Sequence, residues 1–132
     1  MTASRTPRRS RRSERGSVTV EMVVLAPMLM LLLLGGVHAG LAFHARSIAI
    51  AAAQTGARTA AAHTSSLTSG ISAARAFAAQ HGDTPLGGVS VTGQRTATTV
   101  TITVSGHSPA LVPGLDTTIS QSALLPVERI TR

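Results

Sequence analysis

Residues 22–43 read MVVLAPMLMLLLLGGVHAGLAF, a run without any Asp, Glu, Lys or Arg. As a helix rising about 1.5 Å per residue, it reaches roughly 33 Å, close to the hydrocarbon core of about 30 Å in a bilayer. The pattern predicts one membrane-spanning helix. Residues 41–62 then become Ala-rich, with Arg46, Gln54, Thr55 and Arg58 as polar points. Ala is the strongest helix former, so the helix is expected to continue past the bilayer, interrupted at Gly56-Ala57-Arg58.

The remaining pattern changes period. Residues 63–70 (HTSSLTSG) are polar and read as a linker. Residues 71–80 predict a short helix with Ile71, Ala74, Phe77 and Ala78 on one face, ending near Gly82 before Pro85. Val89 and Val91 alternate with Ser90 and Thr92, and Gly87-Gly88 ahead of them reads as a turn. After a second turn at Gly93-Gln94-Arg95, residues 98–105 alternate strictly, with Val100, Ile102 and Val104 on one face. These runs make an antiparallel hairpin. Residues 106–115 read as a loop, and residues 117–127 as a third strand with Ile119, Ala123, Leu125 and Val127 on one side. A lone hairpin is marginal in water. The third strand and the Ala-rich helix laid over the apolar face complete an α+β unit. The predicted organisation is a basic leader (1–16), a spanning helix with its extension (17–62) and a small extracytoplasmic α+β domain (63–132).

Charge fixes the orientation. Of the formal +7, residues 1–16 supply +5, from Arg5, Arg8, Arg9, Arg11, Arg12 and Arg15 against Glu14. Arg-rich flanks stay in the cytoplasm, so the leader is expected inside and everything after the span outside. Arg11-Arg12 also fits a twin-arginine export signal, but such signals have an apolar region of about 7–15 residues, shorter than this one. The leader has no aromatic platform or helix motif for nucleic acid. Cys is absent, which excludes disulfides and thiolate chemistry.

Ahead of the span lies Arg15-Gly16-Ser17-Val18-Thr19-Val20-Glu21. A basic leader, a Gly and an apolar segment with Glu at its fifth position resemble the processing site of type IV prepilins. The resemblance implies cutting after Gly16 by a prepilin peptidase, with Ser17 as the new amino terminus and Glu21 as the fifth-position acid. An ionised side chain in this position is costly, about 2.5–3.5 kcal/mol at mid-bilayer for comparable charges and less near the edge. The freed Ser17 amine, one helical turn away, would relieve that cost, as would a neighbouring subunit's amine that sets the register between packed helices; the alternative is an acid at the headgroup level, favoured by the positive end of its own helix. With Val20-Glu21, Pro27 six residues on, the Leu-rich run and Ala-Ala-Gln-Thr-Gly-Ala-Arg at 52–58, the order resembles the TadE-like family of minor pseudopilins in tight-adherence (Flp-type) pilus systems. That family often has an aromatic where Met22 stands, an acid near His38-Ala39-Gly40, and Arg-Glu where Gln54-Thr55 stands. The partners implied are the lipid bilayer, other pilin-like subunits and the pilus assembly platform.

No catalytic constellation emerges. Outside the leader the acids Glu21, Asp83, Asp116 and Glu128 are far apart, and His38, His44, His63, His81 and His107 lack metal-ligand spacing. His38, alone in the span, reads as packed rather than as a proton relay. Gly36 and Gly40 have the GxxxG spacing of closely packed membrane helices. A non-enzymatic protein without cofactor or small-molecule substrate is expected. Two other classes compete: a secreted protein cut after Val37-His38-Ala39, and a single-pass anchor with no pilus role.

Overall fold

The computed structural model describes residues 14–82, 86–111 and 114–128. Two helices precede three strands: α1 (Glu14–Ala61), α2 (Leu67–Gly82), β1 (Gly87–Arg95), β2 (Thr99–Ser108) and β3 (Thr117–Pro126). The chain divides into two compact units, Met1–Gly36 and Val37–Arg132, and α1 contributes residues to both. The architecture is α+β, with a long apolar amino-terminal helix and a small antiparallel sheet.

The sheet has the order β1-β2-β3. Val91 pairs with Val104 and Gly93 with Ile102, and across the other seam Ile102 pairs with Ala123 and Gly106 with Ile119. The alternation read from 98–105 holds: Val100, Ile102 and Val104 are fully buried. They meet a stripe of α1, Ala45, Ile48, Ala49, Ala52, Ala53, Ala57 and Ala60, in one core cluster. These positions recur every three or four residues and so share one helix face. Most are Ala, so the helix backbone lies close to the sheet. On the other face of the sheet, Thr103 and Ser122 join hydroxyls across β2 and β3 at 2.7 Å.

Several expectations are corrected. Gly56-Ala57-Arg58 does not interrupt α1, which runs unbroken to Ala61. Gly56 is instead a crossing point. A Cβ there would lie 2.7 Å from the Gly70 carbonyl oxygen and 2.8 Å from Ala74 Cβ, and one at Gly70 would overlap Ala60 Cβ. The two glycines let α1 and α2 touch backbone to backbone. The linker is shorter than residues 63–70, because α2 begins at Leu67. Ser66 caps it: its Oγ accepts the Ser69 amide at 3.1 Å, satisfying an N–H that the helix leaves unpaired.

Gly93-Gln94-Arg95 belongs to β1, and the reversal falls at Thr96-Ala97-Thr98. There Thr96 Oγ1 accepts the amides of Thr98 and Thr99 at 3.3 and 2.9 Å, a side-chain-built turn. Gly93 serves packing, since a Cβ would come within 2.9 Å of Leu67 Cδ1. Gly87-Gly88 also lies inside β1, where the register shifts between Gly87 and Ser90. Gly88 takes φ +61°, the left-handed region open to glycine. Finally, Gly106, His107 and Ser108 extend β2 rather than opening the loop.

The carboxyl end of α1 is closed by groups from three other segments. Helices leave their last carbonyls without partners. Here Arg95 Nη1 donates to Ala60 O at 2.8 Å and also to Ser65 O. The Glu128 amide donates to Ala61 O at 3.0 Å, and the Ser65 amide to Ala62 O at 3.0 Å. A cation at this end also complements the helix dipole.

Candidate functional site

The site is a segment rather than a pocket. From residue 19 to residue 37 every side chain of α1 is exposed, on all faces. The large apolar ones include Val23 at 69%, Leu31 at 69% and Leu32 at 71%. A helix apolar all round is stable in a bilayer or among other helices, not in water. The exposed run measures about 28 Å, and its hydropathy identifies one helix, Thr19–Ala61, able to cross a membrane by length and composition. Burial starts beyond it: His38, Leu41 and Ala42 are half-buried and Ala45 is fully buried.

Gly16 and Ser17 lie within α1, and Glu21 sits one turn further along it, with an exposed side chain. Pro27 is accommodated inside the helix. Its missing N–H removes one backbone hydrogen bond, which membrane helices tolerate. Arg15 is part of α1, whereas Arg8, Arg9, Arg11 and Arg12 lie outside the described residues. A Cβ added at Gly35, Gly36 or Gly40 meets nothing within 4 Å, so that small-residue patch is uncovered within the chain. The structure does not gather the predicted residues. Gly56 and Ala57 are buried and Arg58 is exposed in the last turn of α1, all in the unit Val37–Arg132, whereas Glu21 belongs to the unit Met1–Gly36.

Sequence reasoning missed Arg95 and Gly70, which fix the end and the crossing of α1. The only local hint was a cation among neutral strand residues and a glycine beside a helix start. His38 Nδ1 is buried and makes no hydrogen bond to a described residue. Among the described residues no group of three or more His, Cys, Asp or Glu is placed to hold a metal ion.

The comparison with protein families agrees with the segment's geometry. The model of the family described as TadE-like protein matches residues 16–58. No curated protein and no solved structure matches the chain significantly. The matched region begins at Gly16, contains the whole exposed apolar run and ends at Arg58. Over residues 16–58, about a third of its length, the chain is similar to the TadE-like family.

Proposed function

We propose that the chain is a membrane-anchored, pseudopilin-like protein that takes part in assembling a tight-adherence (Flp-type) pilus or a related secretion apparatus, without catalysing a reaction. One observation carries this reading. Gly16-Ser17, Glu21 and a helix exposed and apolar on every face fall together in the segment that matches the TadE-like family.

In this scheme Arg8, Arg9, Arg11, Arg12 and Arg15 hold the leader on the cytoplasmic side. The apolar helix spans the inner or plasma membrane, and the α+β domain that follows it stands outside. Prepilin peptidase cuts after Gly16. The new Ser17 amine, or that of a neighbouring subunit, then faces Glu21 and offsets the cost of placing its carboxylate in the apolar layer. The helix remains attached after cutting, so the outer unit stays tethered to the membrane and available to pilin-like subunits and the assembly platform.

Amino-terminal analysis of protein from its native cell tests the scheme. A chain beginning at Ser17 is the expected result. A chain beginning at Met1 in the presence of the peptidase removes the processing step. A chain beginning at Gly40 and recovered in the soluble fraction replaces the scheme with secretion after Val37-His38-Ala39.

A further inference from the structure

β3 is an edge strand, paired with β2 on one side and with no described strand on the other. α1 runs beside this edge but leaves a seam open. A cavity of about 480 Å³ lies between Ala39, Ala42, Phe43 and Arg46 of α1 and residues 117–121 of β3. A second, of about 250 Å³, lies between Ile50, Gln54 and Arg58 and residues 122–125. The helix side is one continuous stripe, since Ala39, Phe43, Arg46, Ile50, Gln54 and Arg58 follow each other at three or four residues. Both walls extend about 28 Å. Phe43 is 72% exposed, so apolar surface stands uncovered at the seam's amino-terminal end.

The geometry points to this seam as the docking site for an extended acidic segment of a partner protein, added as a fourth strand beside β3. The free edge presents unpaired backbone donors and acceptors, the template that strand addition uses. Charge selects the occupant. Arg46 and Arg58 each line one of the cavities, and no acid lines either. Neither Arg forms an ion pair or hydrogen bond with a described residue, and Asp116 and Glu128 lie beyond the two ends of β3. The two guanidinium-bearing positions are about 18 Å apart along α1. On a strand rising about 3.3 Å per residue with period-two faces, carboxylates about six residues apart meet both. The strands of a second copy cannot supply them, because β1, β2 and β3 contain no Asp or Glu. The inference goes beyond the proposed function, since it concerns the outer unit and holds whether or not the leader is cut.

The test uses the full chain in detergent and a fluorescent peptide of about ten alternating Thr and Val residues, carrying two Glu about six residues apart. Saturable binding is expected by fluorescence anisotropy. Arg46→Gln or Arg58→Gln weakens it about threefold, and the double reversal Arg46→Glu with Arg58→Glu weakens it at least about tenfold. Methylating the peptide amides along the edge that meets β3 abolishes binding. No binding, or equal binding of a peptide with Lys in place of both Glu, overturns the proposal without reference to any variant's folding. Self-association of the chain that the Arg variants disrupt also overturns it, in favour of a second copy. Amino-terminal analysis is unaffected by all these outcomes, so the seam and the processing scheme fail separately.

Discussion

Glycine at position 56 was legible as a glycine and misread as a break. Gly residues punctuate local structure, and nothing nearby distinguishes a helix end from a close crossing. The distinction lies across the fold, in Gly70 and Ala74. Gly56→Ala is expected to destabilise the outer unit by about 1–3 kcal/mol, because its Cβ meets backbone rather than a flexible side chain. Gly35→Ala, by contrast, meets open space and is neutral or slightly stabilising. Thermal unfolding of both variants in the same detergent checks the contrast. Arg95 follows the same logic: its partner Ala60 is 35 residues away in sequence, beyond any local pattern. Arg95→Ala leaves two carbonyls without their charged donor and is expected to cost about 1.5–3 kcal/mol. Denaturant unfolding measures that loss. At Glu21 the expectation concerns assembly rather than stability. Glu21→Gln removes the carboxylate that the Ser17 amine would face, so cutting after Gly16 persists while pilus formation falls. Mass analysis of the protein, beside microscopy of the cells, separates the two effects.

Among the elements, those with a strong period were legible and those set by single side chains were not. The apolar span and β2 follow from runs in which every residue agrees with the next, at helical and strand spacing. The start of α2 did not, because Ser66 caps it without the acidic partner three residues on that usually marks a capping box; Ser69 stands there instead. The hairpin turn moved by several residues because Thr96 builds it with a hydroxyl, while Gly93, the stronger turn former, is held in β1 for room. The site divides in the same way. Gly16, Ser17 and Glu21 are proposed from their order in the chain, whereas the seam beside β3 depends on how α1 and the sheet meet. Ser66→Ala is expected to cost about 1 kcal/mol. It should also speed hydrogen exchange at the Ser69 amide and its neighbours in the first turn of α2, with little change in β2.

For the whole molecule, the central claim is that one apolar helix anchors a folded α+β unit on the outer side of a membrane, with the Arg-rich leader inside. The chain contains no Cys, so single cysteines report position without background. Ala76 is exposed on α2, and Ser10 lies in the leader. The most direct measurement labels intact cells with a membrane-impermeant maleimide, comparing Ala76→Cys with Ser10→Cys, before and after lysis. The account predicts that Ala76→Cys in the membrane fraction reacts in intact cells, and that Ser10→Cys, in uncut chains, reacts only after lysis. Labelling of Ser10→Cys but not Ala76→Cys in intact cells, or recovery of the whole chain in the soluble fraction, would contradict it.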